Sequence, residues 1–273
     1  MPKRTVFLFQ SSLFACLLLF IICCSRPNIR IDTGKPLPSV IKAYKHITIA
    51  GDRAGMRDTG IDVRKEDQVS ILATGSIDFC AKWGGCKYRN VTPADHWPLI
   101  GRIGKEGHYF HPIVRDTHKG GFSLQEGRLY LGCKDGPLQA NGRPYNPEWY
   151  RDNQGTFSVD IIVWSTDDYG QIINFLSEQL EENPENKAIK DTLYIYATYR
   201  QVQLAAEKAA EAAQETQQEI SDLQRQTANR PTSATERQQI QELEARLASL
   251  QATLAELDQM KKQLQQEQQK SEQ

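Results

Sequence analysis

A chain of 273 residues with a formal net charge of −1 and a quarter of its residues charged has room for one or two domains. So balanced a charge argues against a nucleic-acid footprint and against a bias toward acidic partners. No nucleophile elbow, phosphate-binding loop or metalloprotease helix occurs, so binding rather than catalysis is expected.

Lys3 and Arg4 precede a run to Cys24 in which only Thr5, Gln10, Ser11 and Ser12 are polar. A basic start before such a run reads as an export signal or an uncleaved anchor. Its length approaches the roughly 20 residues that a spanning helix needs. The basic flank is expected to stay cytoplasmic, placing the remainder in the extracytoplasmic cell envelope. The end of the run, LLLFIICCSRPN, resembles a bacterial lipoprotein signal, in which Cys24 (or Cys23) becomes the lipidated residue. Ile21, Ile22 and Cys23 stand where small residues are usual. Residues 1–24 are thus expected to tether an exported chain to a membrane. Residues 25–43, polar and proline-punctuated, read as a linker that lifts a domain off it.

From residue 44 to 164 the pattern becomes short alternating segments broken by turn residues. They are His46–Ala50, Val69–Gly75, Leu99–Ile103, Arg128–Cys133 and Thr156–Trp164. Alternation of period two gives each strand one buried and one wet face, and several such strands predict an antiparallel β-sandwich. Cys80 and Cys86 flank a short glycine-containing loop in an oxidising compartment, where a disulfide is expected to contribute about 2–3 kcal/mol. Cys133 reads as a buried free thiol. The histidines His46, His96, His108, His111 and His118 lack zinc-site spacing.

The strings ITIAGDRAGMRDTGIDVRKEDQVSILATGSIDF, PLIGRIG, GRLYLGCKD and DNQGTFSVDI together resemble the calcium-dependent galactophilic lectins of bacteria, over about residues 45–164. The resemblance implies a jelly-roll-like (galactose-binding-like) sandwich with a Ca²⁺ ion at one end that itself coordinates sugar hydroxyls. On that basis the metal ligands fall on Asp135, on Asp152 and Asn153, and on the backbone carbonyl near Phe79. The loop between Asp135 and Asp152 is much longer here than in the family, and the family's remaining loop ligand has no counterpart. Calcium takes six to eight oxygens from flexible loops. The competing reading of Asp135, Asp152 and Asn153 is turn chemistry, since Asp and Asn stabilise turns whatever the function. The long loop offers Asn141, Tyr145, Asn146, Trp149 and Tyr150, and with Asn153 these suit a glycan: amides bond hydroxyls and an aromatic ring underlies the apolar sugar face. Alternatively, Trp149 and Tyr150 fold the loop onto the sandwich. Trp83, Asp95, His96 and Trp97 fall near the same edge.

After Trp164 the period turns helical. Ser165 or Thr166 can cap a short helix within 165–183, with Ile172, Ile173, Phe175, Leu176 and Leu180 as its apolar stripe. Asn183-Pro184 then opens a longer helix to about Thr227, and S-A-T-E at Ser233–Glu236 is a capping box for another. Ile240, Leu243, Leu247, Leu250, Leu254, Leu257 and Leu264 form a heptad stripe broken at Lys261. Residues 184–273 are therefore an all-α coiled-coil hairpin about 50–60 Å long at 1.5 Å per residue. Folded about Pro231, its alanines Ala206 and Ala209 would face Leu254 and Leu257. The same heptads can serve a homo-oligomer or a protein partner. The aromatic run at 193–199 is too apolar for a free surface and is expected to pack on the sandwich or a partner.

Overall fold

The computed structural model describes residues 27–32, 34–65, 67–82, 87–95, 97–111, 119–122, 126–228 and 230–270. The segment 1–24, with Cys23 and Cys24, lies outside the described residues, as do Trp83, Cys86, His96 and His118. Among the described residues no helix is long and apolar enough to cross a membrane.

Among the described residues, eight strands form two four-stranded sheets: β1 (Ile41–Ala50), β2 (Arg57–Val63), β3 (Gln68–Asp78), β4 (Leu99–Ile103), β5 (Tyr109–Phe110), β6 (Lys119–Phe122), β7 (Gly127–Cys133) and β8 (Gln154–Trp164). Sheet one has the order β1-β8-β3-β6 and sheet two β2-β7-β4-β5, with every pairing antiparallel. The alternating residues do what period two dictates: Phe157, Val159 and Ile161 of β8 meet Leu129 and Leu131 of β7 in the core between the sheets. The chain is therefore an antiparallel β-sandwich followed by a helical region. Strand β2 was not legible in the sequence because Asp58, Thr59 and Gly60 interrupt its pattern. Gly60 has φ +78°, and the register with β7 shifts between Asp58 and Asp62.

Sheet one departs from the one-wet-face expectation. Its outer face, with Leu72, Ile162 and Trp164, is covered by two helices, α1 (Tyr169–Glu182) and the start of α2 (Lys187–Thr227). The polar residues Ser158 and Asp160 produce the alternation in β8, yet both are buried. Polar in sequence did not mean wet, because other buried groups partner them. The aromatic run at 193–199 packs here: Tyr196 is fully buried, its hydroxyl 2.8 Å from Ser70 Oγ, and its ring meets that of Trp164 edge-on at 6.2 Å. Within the expected linker, the described residues are not all free: Asn28 and Ile29 are buried, and β1 begins at Ile41.

The helix caps also shift. Asp168, not Ser165 or Thr166, caps α1, its Oδ1 accepting the Gly170 N–H at 2.8 Å. Asn183 cannot open α2 because its own N–H still closes the last turn of α1, donating to Leu180 O at 3.1 Å, and Pro184 disfavours a helical conformation before it. Asn186 is the cap, accepting from Ile189 N–H at 3.1 Å. The Ser233 capping box forms in both directions, at 3.2 and 2.9 Å, before α3 (Ala234–Lys270).

Helices α2 and α3 pack against each other as a hairpin. On α2 the inward stripe runs through Ala209, Thr216, Ile220 and Thr227, so Thr216 fills the gap left in the apolar heptad. Its hydroxyl is satisfied by Ala212 O at 2.8 Å. Leu243 of α3 is buried against this seam, while Leu247, Leu250, Leu254 and Leu257 are half-buried along the same face. The start of α2 lies beside Thr74 and Gly75 of β3, and Tyr196 lies beside Ser70. The helix thus runs antiparallel to β3, and the hairpin leaves the sandwich at the Gln68 end.

Trp164→Ala removes the ring shared by Phe175 and Tyr196. It is expected to cost about 3–5 kcal/mol in urea unfolding, with loss of the near-ultraviolet circular dichroism signal from the helix–sheet joint.

Candidate functional site

At the other pole, β1 ends at Ala50, β3 at Asp78 and β8 begins at Gln154. The pairing of β3 with β8 runs to Asp78 opposite Gln154, one residue short of Phe79 and Asn153. Strand β7 delivers Cys133, Lys134 and Asp135 to the same end. The long loop from Gly136 to Arg151 does not keep Asp135 away from Asp152 and Asn153. It doubles back through a Leu138–Pro144 bridge and a short 3₁₀ helix, Pro147–Asp152. Tyr150 closes it: this buried side chain accepts the Asp135 N–H at 3.0 Å and donates to Cys133 O at 3.3 Å. The one hydroxyl thus serves a backbone donor and a backbone acceptor at the end of β7.

Asn153 is only 4% exposed. Its Nδ2 donates to Gly51 O at 3.0 Å, its side chain also hydrogen-bonds the Asp135 carboxylate, and its Oδ1 is buried without a protein partner. An acceptor left so costs about 1–3 kcal/mol. Burial pushes the Asp135 carboxyl above its ordinary value, the Asn153 hydrogen bond opposes this, and the charge of nearby Asp152 adds to the rise. The Asp135 carboxyl, the nearby Asp152 and the orphaned Asn153 amide oxygen are hard-oxygen donors of the kind that calcium takes. Among the described residues no group of three His, Cys, Asp or Glu side chains is placed to hold a metal ion, so an ion here depends on amide and carbonyl oxygens.

Cys133 lies beneath this cluster as a free, buried thiol, its Sγ 3.5 Å from Gly51 O. Burial first, then Asp135, push it up to about 12. It is protonated at neutral pH and neither nucleophile nor ligand. Cys80 is disulfide-bonded; the expectation for Cys86 lies outside the described residues.

The remaining predicted residues divide. Trp149 is 43% exposed and its six-membered ring lies over Gly136, where an added Cβ would come within 2.4 Å of it. The indole therefore sits one residue from Asp135. Tyr145 is exposed on the same loop. Asn146 is spent on capping the 3₁₀ helix, accepting from Glu148 N–H at 3.1 Å, and Asn141 on its own turn, accepting from Arg143 N–H at 3.1 Å. Asn141 O accepts from Arg102, which directs this part of the loop toward sheet two. Phe79 is buried, its ring 5.1 Å from that of Trp97. Sequence reading overlooked Gly51, where an added Cβ would stand 2.6 Å from the Ile77 side chain and 3.4 Å from that of Asn153. It also left the Tyr150 hydroxyl without a role; a Tyr where Phe would suffice for packing was the available signal.

The fold and this end define a two-sheet antiparallel sandwich with an oxygen-rich loop site at one pole. No protein-family model matches the chain, and no curated protein sequence matches it. Among solved structures, it is similar to an EclA N-terminal domain described as a PllA-like lectin, with 22% identity and a TM-score of 0.33 over 46% of this chain and 98% of that one.

Because the folded-state value of Asp135 is raised, protonated Asp135 favours folding. That contribution is complete below 3.8, the ordinary carboxylate value, and is lost as pH rises through the shifted value. Asp135→Asn in chelator is therefore expected to melt above the parent at pH 7. The difference should fade below pH 3.8, as followed by calorimetry across that range.

Proposed function

We propose that the sandwich is a jelly-roll-like, lectin-like module that binds a glycan or glycoconjugate through Ca²⁺, on a chain exported and tethered to the cell envelope by residues 1–24. The observation that carries this reading is the juxtaposition of the exposed Trp149 ring, on Gly136, with the Asp135, Asp152 and Asn153 oxygens. A sugar needs both parts: an aromatic surface under its C–H face and polar groups for its hydroxyls. Asp135, Asp152, Asn153 Oδ1 and the Phe79 carbonyl would hold the ion. A bound Ca²⁺ would supply coordination sites for vicinal sugar hydroxyls. Trp149 and Tyr145 would form the rim, and Tyr150 would hold Asp135 in place through its backbone N–H. The resemblance of GRLYLGCKD and DNQGTFSVDI to the galactophilic lectins supports the same assignment of residues.

On glycan arrays, the full chain is expected to bind in Ca²⁺ and to lose binding in chelator. Trp149→Ala should weaken binding at least about tenfold, an effect of the size of one lost aromatic contact. A calcium-independent melting temperature, together with unchanged glycan binding by Asp135→Ala, would sink the reading.

A second reading makes the hairpin the functional part, binding a protein partner or a second copy, with a sandwich that binds no sugar. The leucines Leu247, Leu250, Leu254 and Leu257, which stay half-buried within the hairpin, favour it, since apolar surface left partly wet suits a partner. The intramolecular hairpin is expected to give a monomer by light scattering. A larger species that Leu250→Glu dissociates would favour the second reading.

A further inference from the structure

We propose that residues 28–31 are a strap that locks the helical layer, and with it the coiled-coil hairpin, onto the sandwich. In this way whatever holds the N-terminus is coupled mechanically to the hairpin. The strap goes beyond the reading above and assumes neither calcium nor sugar.

Asn28 is the centre of the joint. Its backbone N–H donates to the Asp160 carboxylate, and its Nδ2 donates to Leu72 O at 3.0 Å and Ser158 O at 3.2 Å. Its own carbonyl accepts from Asn186 Nδ2 at 3.1 Å. Asn186 is the cap of α2, so one residue ties two strands of sheet one to the first turn of the hairpin helix. Ile29, 1% exposed, fills the apolar cluster between sheet and helices. The Arg30 N–H donates to Gln179 Oε1 of α1 at 2.6 Å.

Two further observations make the strap more than a packed terminus. Asp160 is fully buried, and its other donors are Tyr44 Oη at 2.6 Å and His46 Nδ1 at 3.0 Å. A carboxylate in that position needs its hydrogen bonds, so withdrawing Asn28 removes a charge-assisted one. Next to the same joint, a cavity of about 230 Å³ separates the start of α2, at Lys187 and Asp191, from Thr74, Gly75 and Pro93. Ile189 and Thr192 seat the first turns of the helix by burial, and Asn28 adds the polar contacts to its cap. The next polar tie along α2 is Tyr196 to Ser70. Under the tether reading, Cys24 lies four residues upstream, at most about 14 Å of extended chain. A pull on the anchor would then pass to the α2 cap with little slack.

The test is hydrogen exchange on the full chain in detergent, comparing the parent with Asn28→Ala and with Asn186→Ser. The latter keeps a capping oxygen but cannot reach Asn28. Amide exchange across Tyr169–Tyr199 is expected to rise about tenfold in both variants, the consequence of losing buried hydrogen bonds at one joint. Combining the two should add little to either, because they cut the same link. Strands β4 and β7, and any calcium-dependent shift in melting temperature, should be unchanged. Exchange in α1 and α2 within twofold of the parent overturns the proposal, and so does a rise shared equally with β4 and β7. If Asn28→Ala fails to fold, Asn186→Ser alone decides the matter on the same readout.

Discussion

A carboxylate with no exposed surface has to be hydrogen-bonded or neutralised, and Asp160 sets that condition at the middle of sheet one. Burial and this carboxylate push the Tyr44 phenol above its ordinary value, so Tyr44 stays a donor. His46 approaches from the same strand, and Asn28 brings a backbone N–H from far away in sequence. Once those partners surround Asp160, the outer face of the sheet can be buried. Trp164, Ile162 and Leu72 then have somewhere to pack, and the helices have a seat. A sandwich with one open face would need none of this.

The two poles follow from strand direction. Strands β1, β3 and β8 place their Ala50, Asp78 and Gln154 ends together, where loop oxygens gather, while α2 runs along β3 to the opposite end. The candidate site and the part of the hairpin beyond the sandwich therefore lie at opposite ends of sheet one. That arrangement lets one pole contact a ligand while the other carries protein contacts. At the site, the geometry rests on Tyr150 more than on the loop's length, since its hydroxyl bonds both the Asp135 N–H and the Cys133 carbonyl.

Much of this was legible from residues alone where a local period carried the information. The alternation of Leu129, Leu131 and Cys133, the heptad from Ile240 to Leu257 and the Ser233–Glu236 box each describe a structure that neighbouring residues build for themselves. Asp135, Asp152 and Asn153 were nominated by position and Trp149 by its type, and the fold brings them to one end of the sandwich. The engagement of Asn141 and Asn146 in turns was not legible, because an amide looks the same whether it waits for a ligand or closes its own loop.

Local spacing alone specified the strands with clean alternation, β1, β3, β4, β7 and β8, together with the helical hairpin, and it nominated Asp135, Asp152 and Asn153 as oxygen donors. Contacts in space decided instead that helices cover the outer face of sheet one at Leu72, Ile162 and Trp164, that Asn28 belongs to the body and that a long loop returns Asp135 to Asn153. The physical reason is common to all three. A polar residue's partner is chosen by proximity in space, and Asn28 and Asp160, 132 positions apart, have no period that could announce them.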